Sequence, residues 1–501
     1  MTAPQLPHDA TVGVIAATAG IGIGHLVAAL TNPSASPVLS IGSAVIDATP
    51  TPVKEWAVAT FGTSDKIILI GSVALGTLVL AGLGGVIAAR RFSIGALVLI
   101  ALVALAGAAA LTRPAATVAD LLPALATGVM ALAALWWLVR ERDPANAESG
   151  GGPTRRRVLT GGGAVLVAAV LAGAAGEAII RGSRRLGDIV LPRPSDPPPP
   201  LADGLDIEGI SPFRTPTEDF YRVDVNLSVP VVDVDDWALT IDGDVARPYT
   251  ITWDELLEMD MIERDITMTC VSNEVGGGYV GATRWLGVPL TDLLERAGIG
   301  SRADQILSTA VDGFTISTPL AIATDGRDAM VAIAMDGEPL PREHGFPARL
   351  ITPGLYGYVG ATKWLERLTL TTYASDRAYW TERGWDIDGP IKVSTRIDTP
   401  RGLAELDPGD LVIAGVAWAQ HRGVEGVQVR IDGGEWTDAE LGPDAGVDYW
   451  RQWYLPWKAG SGRHTVQARC VTDDGEVQTA ERAGPFPNGS SGIHDIVVRV
   501  A

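Results

Sequence analysis

Ile266-Thr-Met-Thr-Cys-Val-Ser-Asn-Glu-Val-Gly-Gly-Gly278 is the stretch on which the reading of this chain turns. Residues 266–269 alternate like a strand and 276–278 form a glycine-rich loop, so Cys270 stands where a strand gives way to backbone that can approach a ligand closely. A thiolate at such a junction is a natural ligand for a soft metal centre. Two other readings stay open at this point, an inert buried thiol and a disulfide to Cys470, the second of only two cysteines in the chain. Cys470 lies in the strand-like run 464–471 and reads as a buried thiol.

A second concentration lies about 70 residues on, in Pro339-Leu-Pro-Arg-Glu-His-Gly-Phe-Pro-Ala-Arg-Leu-Ile-Thr-Pro-Gly354 and Leu355-Tyr-Gly-Tyr-Val-Gly-Ala-Thr-Lys-Trp364. His344, Arg349 and Lys363 are three cationic candidates among glycines, a pattern suited to cradling a phosphate or a polar heterocycle. A solvated loop with ordinary salt bridges is the other reading of the same residues.

Around these stretches the signals are mixed. Trp237 to Gly243 alternates like a strand ending in a turn, Thr252-Trp-Asp-Glu255 is a capping box opening a short helix over 254–259, and 288–298 has a helical period with a glycine stop. Segments 306–311, 330–334 and 348–352 read as short strands, which together predict an α+β domain. Beyond residue 400 the helix signal disappears. Short alternating segments at 411–418, 424–431, 450–455 and 464–471, separated by Gly/Asp turns, predict a β-sandwich of about 100 residues.

The N-terminal part is a different kind of chain. Residues 1–185 hold 13 Lys+Arg and 9 Asp+Glu, net +4, whereas the remainder holds 26 and 50, net −24, within a total of −20 over 501 residues. Five apolar stretches at about 12–30, 67–89, 94–111, 121–139 and 158–180 are each near the length of about 20 residues that crosses a bilayer. Arg90 and Arg91, and Arg140, Arg142 and Arg155 to Arg157, mark the loops that stay inside. The N-terminus is therefore expected in the cytoplasm and everything after the fifth span outside, with Arg181, Arg184 and Arg185 as the weak point of the pattern. The tract Leu191-Pro-Arg-Pro-Ser-Asp-Pro-Pro-Pro-Pro200 predicts an extended, semi-rigid stalk.

The composition also excludes. A net charge of −20 disfavours a nucleic-acid partner. With two cysteines and six histidines there is no CxxCH haem attachment, no four-cysteine iron–sulfur set and no CxxC zinc pair. His25 is the only histidine within the spans, so electrons must pass to or from another protein or a diffusible molecule.

At these residues the chain resembles the sulfite oxidase family of molybdopterin enzymes, over about residues 205–501. Thr269 to Gly277 with Thr283-Arg-Trp-Leu-Gly-Val-Pro-Leu-Thr-Asp-Leu-Leu294 is similar to the family's metal-ligand segment, and Met335 to Arg349 with Lys363-Trp-Leu365 to its second hallmark. Residues Ala417-Trp418, Arg430 to Trp436 and Tyr449 to Tyr454 resemble its immunoglobulin-like dimerisation domain. The resemblance implies a molybdenum-molybdopterin cofactor and oxygen-atom transfer at an oxo-molybdenum centre. It makes Cys270 the thiolate that binds the metal, and His344, Arg349, Thr362, Lys363, Tyr221 and Arg222 the contacts to the pterin and its phosphate. Two departures bear on substrate: Val275 stands where sulfite oxidases carry a pocket arginine, and Trp385 stands where they place a tyrosine near the metal. Arg284, and Arg422 in the sandwich, remain as cations for a substrate anion, and Trp385 and Arg284 join Cys270 as expected catalytic residues. Thr154-Arg-Arg-Arg-Val-Leu159 resembles a twin-arginine export signal, which a protein loaded with cofactor before export would need.

The expected organisation is thus an anchor of about five transmembrane α-helices (1–185), a proline-rich linker (186–205), an α+β sulfite-oxidase-type molybdopterin domain (206–398) and an all-β immunoglobulin-like sandwich (399–501). The function implied is a membrane-anchored, extracytoplasmic oxidoreductase acting on a small oxyanion or sulfoxide-type substrate. Its partners would be a separate cytochrome or quinone-linked carrier and a second copy bound through the last domain. Two rivals are a sulfoxide-type reductase with the same cofactor and a cofactor-free surface binding protein.

Overall fold

The computed structural model describes residues 6–61, 64–140, 155–182 and 189–501. Two compact units emerge, Met1–Gly187 with Val225–Val231, and Asp188–Asp224 with Val232–Ala501.

The first unit is helical: α1 (Leu6–Leu30), α2 (Pro37–Ala48), α3 (Thr51–Phe61), α4 (Asp65–Ala88), α5 (Phe92–Leu111), α6 (Leu122–Arg140) and α7 (Arg155–Gly182). Five helical stretches, Asp9–Leu30, Asp65–Ala88, Phe92–Leu111, Val118–Arg140 and Gly161–Ile180, are long and apolar enough to cross a membrane. The short helices α2 and α3 fill what the sequence leaves as a connection between the first two stretches. Helix α1 is central, packing on α4, α6 and α7. It packs closely because its facing residues are small: a β-carbon at Gly13 would overlap the Ala81 carbonyl of α4, and Gly85 lies equally tight against Gly13. The outward faces carry exposed Ile67, Leu75, Leu97, Val129 and Leu171, which suits a hydrocarbon solvent. Arg142, Thr154, Arg184 and Arg185 lie outside the described residues, so the inside-loop pattern and the export motif rest on sequence alone there.

The second unit begins with the proline tract, and here the expectation of a stalk fails. Ser195 N–H donates to the Met261 carbonyl at 2.8 Å, Asp196 bridges Ile262, and Arg264 binds the Asp196 carboxylate at 2.6 Å. Ile189 and Leu191 pack on the main core. An extended tract exposes its carbonyls, and here that of Asp196 accepts from Glu263 N–H at 3.3 Å and that of Pro199 from Arg284 at 2.8 Å.

Two sheets form the next layer. The strands are β1 (Ala238–Gly243), β2 (Tyr249–Thr252), β3 (Ile262–Thr269), β4 (Val280–Pro289), β5 (Gln305–Ala310), β6 (Thr315–Pro319), β7 (Met330–Met335), β8 (Glu338–Pro339), β9 (Arg349–Ile351) and β10 (Leu365–Thr371). One sheet runs β2-β1-β10-β5-β6; the other runs β3-β4-β7-β8, with β9 paired to β7. Helix α8 (Trp253–Leu257) starts at the expected capping box, with Thr252 and Glu255 bonded reciprocally, and α9 (Leu290–Ala297) ends at Gly298. Leu239, Ile251, Leu286, Val288, Leu293, Val331, Leu350 and Leu368 form one core across both sheets.

The last hundred residues are all-β. Strands β11 (Ser394–Thr399), β13 (Gly409–Trp418), β17 (Arg451–Ala459) and β16 (Glu440–Leu441) make one sheet. The other is β12 (Glu405–Leu406), β19 (His494–Val500), β18 (Gly462–Thr472), β14 (Val424–Ile431) and β15 (Thr437–Asp438). Ile413, Ala417 and Trp453 from the first meet Val427, Val429, Val466, Ala468 and Cys470 from the second, as a sandwich requires. Cys470 is thereby buried in this core and Cys270 is buried elsewhere, so both are free thiols and the disulfide alternative is withdrawn.

Candidate functional site

Strand β3 delivers Cys270 to a loop that closes on itself. The Cys270 N–H donates to the Tyr279 carbonyl and its own carbonyl accepts from Asn273 N–H, both at 3.0 Å, while the Asn273 side chain accepts from Tyr279 N–H at 2.8 Å. The sandwich braces this strand: Gln420 donates to the Thr267 carbonyl at 2.8 Å, Trp450 N–H donates to the Thr267 hydroxyl at 2.7 Å, and Arg396 donates to the Gly277 carbonyl at 2.9 Å. Cys270 is only 8% exposed, and its sulfur accepts from Ser272 N–H at 3.4 Å. Burial pushes the thiol pKa up, opposed by the Ser272 contact and the charge of Lys363. The resting group is a thiol, and becomes a thiolate when a bound cation takes the place of its proton.

Beside it stand the cations. Arg349, on β9, is 5% exposed, lies 5.2 Å over the Trp285 ring and donates from Nη1 to the His344 carbonyl at 3.0 Å. Its Nε has no partner, and among the described residues no carboxylate pairs with it. Burial lowers its pKa to about 10. Lys363 donates from Nζ to Asp224 at 2.8 Å and to the Glu343 carbonyl at 3.1 Å; burial outweighs Asp224 and lowers its pKa to about 8. Asp224 also accepts from Arg222 Nε at 2.8 Å, so one carboxylate serves two cations. His344 is held down to about 3 by burial first and then by the charges of Arg349 and Lys363, which makes it a neutral imidazole. Thr362 is fully buried and shares a hydrogen bond with the Ser308 hydroxyl. Tyr221 stacks on Phe220 with centroids 5.3 Å apart and interacts electrostatically with both Cys270 and Arg349; burial raises its pKa.

The fold therefore gathers Cys270, Tyr221, His344, Arg349 and Lys363 into one neighbourhood, with Arg222 tied in through Asp224. A buried guanidinium without a counter-ion costs several kcal/mol in isolation. A phosphate supplies the missing charge, and a thiolate-binding metal satisfies Cys270, so the donor set fits a phosphate-bearing metal cofactor. Asp224 is missed by a sequence reading because a lone carboxylate in an irregular segment carries no pattern.

One of the residues expected at the reaction centre is committed elsewhere. Arg284 binds Asp265 with two hydrogen bonds, at 2.9 and 2.7 Å, and lies 3.8 Å from Glu263, so its charge is already met and it is withdrawn as a substrate cation. The reason is register: Arg284 and Asp265 are direct partners across β3 and β4. Arg422 is likewise held by Asp474 and Glu476. Trp385 is buried, with rings of Tyr358, Phe486 and Trp380 at 5.6, 5.3 and 5.9 Å. It shares one aromatic cluster with Val271, Tyr356, Trp418 and Trp450, and its indole N–H is buried without a partner.

Residues 226–380 match the oxidoreductase molybdopterin binding domain family. Human mitochondrial sulfite oxidase is 28% identical over 342 residues, 59% of this chain and 61% of that one. The Drosophila melanogaster enzyme is 30% identical over 312 residues, 52% of each chain. NADH nitrate reductase 1 of Arabidopsis thaliana is 28% identical over 43% of this chain and 29% of its own. The chain thus spans about three-fifths or less of the curated relatives it matches. The solved sulfane dehydrogenase SoxCD of Paracoccus pantotrophus aligns over 59% of this chain and 85% of its own, with a TM-score of 0.51 and 24% identity, a likeness of fold. Fold, buried donor set and domain match together place residues 226–380 among the molybdopterin-binding oxidoreductase domains. Within that class the chain is similar to the sulfite oxidase family, and the matched domain implies a molybdenum-molybdopterin cofactor.

Proposed function

We propose that this chain is a membrane-anchored, extracytoplasmic oxidoreductase that acts on a small oxygen-bearing substrate and exchanges electrons with a separate carrier, a cytochrome or a quinone-linked protein. The buried Arg349, without a carboxylate partner among the described residues, is the observation that carries the catalytic reading: a cofactor-free surface protein has no use for that charge. When bound, molybdenum-molybdopterin supplies two-electron redox chemistry and oxygen-atom transfer. In this reading Cys270 would ligate the metal, Arg349 and Lys363 would offset phosphate charge, His344 would present a neutral imidazole held by the Thr217 backbone, and Tyr221, Arg222 and Thr362 would fix the cofactor's position. Asp224 keeps Lys363 and Arg222 oriented. The five apolar helices and the inside-loop arginines support a multi-pass anchor with a cytoplasmic N-terminus. The twin-arginine motif and a homodimer through an immunoglobulin-like last domain belong to the same proposal.

One observation favours the reductase of sulfoxides over an oxidase of sulfite. Val275 replaces the pocket arginine, and Arg284 is spent on Asp265, so a neutral substrate is less penalised than a dianion. Molybdenum analysis of purified protein, with assays of sulfite plus an acceptor against a sulfoxide plus reduced dye, tests the whole reading. Cys270→Ser is expected to lower turnover by about a hundredfold or more, equivalent to roughly 2.7 kcal/mol of transition-state stabilisation, and to change the Mo(V) resonance. Full activity with an unaltered resonance would refute Cys270 as the ligand.

A further inference from the structure

Tyr356 is a buried phenol to which the mechanism above gives no task. It is 4% exposed and belongs to the aromatic cluster that contains Val271, next to the metal-binding cysteine, and Trp385. Its hydroxyl oxygen accepts the Lys392 N–H at 3.3 Å, and among the described residues its proton has no acceptor. A charge on Cys270 would be felt by the phenol. Its neighbour Tyr358 differs: that hydroxyl donates to the Asp386 carbonyl at 2.8 Å and is committed. The sandwich domain fixes the phenol from the far side. Gly489, at φ +93°, abuts the Tyr356 hydroxyl so closely that any β-carbon there would overlap it, and the Lys392 ammonium holds the Gly489 carbonyl at 2.6 Å. A buried hydroxyl held by two backbone segments, with its proton unspent, is preorganised to donate.

We propose that the Tyr356 O–H positions the substrate by donating a hydrogen bond to its oxygen, supplying from the loop before Lys363 the hydroxyl that Trp385 lacks. The Trp385 indole N–H, in the same aromatic cluster and buried without a partner among the described residues, would be the second donor. The ligand chemistry is an oxygen borne on sulfur, either an anion such as sulfite or a neutral sulfoxide. The inference rests on the molybdopterin reading of the preceding section.

The test uses full-length, cofactor-loaded protein: wild type, Tyr356→Phe, Gly489→Ala, and Tyr358→Phe as control. Each is measured for molybdenum content, melting temperature, KM and kcat, and for the shift of the Mo(V) resonance on titration with sulfite and with dimethyl sulfoxide. Tyr356→Phe is expected to keep its molybdenum and melting temperature while weakening ligand binding about tenfold, as befits one lost hydrogen bond. Gly489→Ala should weaken it in the same direction and Tyr358→Phe should not. Whichever compound shifts the wild-type resonance identifies the substrate class. Unchanged binding in molybdenum-replete Tyr356→Phe overturns this inference alone, and so does a wild-type resonance that neither compound moves. Wild-type protein that takes up no molybdenum overturns the molybdopterin reading and this inference with it.

Discussion

Arg349 and His344 show how burial sets opposite demands on the same pocket. Arg349 keeps its charge without a carboxylate partner, which penalises the protein whenever no anion is bound. Arg349→Met is therefore expected to raise the stability of cofactor-free protein by about 1–3 kcal/mol, as replacements of buried charge by packed apolar groups do, and to lower molybdopterin retention on gel filtration. A fall in both quantities would contradict the charge argument. His344 is neutral in the fold, with its pKa held near 3, whereas in the unfolded chain it titrates near 6.5. Below pH 6.5 the unfolded state takes up a proton that the native state refuses, so cofactor-free protein loses stability as pH falls from about 6.5 toward 3, by at most about 1.4 kcal/mol per pH unit for this group. Denaturant titrations across that range should flatten in His344→Gln. The same reasoning explains why Arg284 and Arg349 looked alike in sequence. Both are single arginines next to a motif, and only tertiary neighbours decide that Asp265 neutralises one while no carboxylate among the described residues neutralises the other.

At the scale of elements, β3 and β4 carry the site, and Trp285 is the shared floor. Its ring is fully buried, donates to the Ile266 carbonyl at 3.3 Å, meets Phe220 edge-on at 5.7 Å and lies under Arg349. Trp285→Ala is expected to cost about 3–5 kcal/mol and to release cofactor, read by thermal melts and molybdenum content together. In the helical unit the equivalent pressure point is Gly13, where α1 and α4 touch through backbone. Gly13→Leu should separate them, detected as loss of a cross-link between cysteines placed on the two helices. Much of this element map was legible. The capping box at Thr252, the strands around 306–311 and 330–334, and the four main sandwich segments follow directly from periodicity. The proline tract did not, because an extended chain looks the same whether its carbonyls face water or the edge of β3. Helices α2 and α3 were also hidden, being too short for a spanning pattern.

For the whole molecule, the division between a +4 N-terminal part and a −24 remainder becomes two compact units. Deleting residues 1–187 should move the protein from the membrane pellet to the soluble fraction, and a deleted form that still pellets would count against the anchor. The acidic remainder should steer a basic electron carrier at low ionic strength. The second-order reduction rate with such a carrier is thus expected to fall as salt rises, and a salt-independent rate would remove electrostatic steering from the proposal. What the sequence determined by itself was local and compositional: five apolar stretches, a strand ending in Cys270, a set of cations among glycines, and the strand rhythm of the sandwich. These are fixed by side-chain type and spacing, which need no partner to be recognised. Only the tertiary structure decided which charges lack a counter-ion among the described residues, which hydroxyls are committed and where the proline tract is held. Each of those depends on groups brought from tens or hundreds of residues away, and desolvation gives them their energy only once they are buried together.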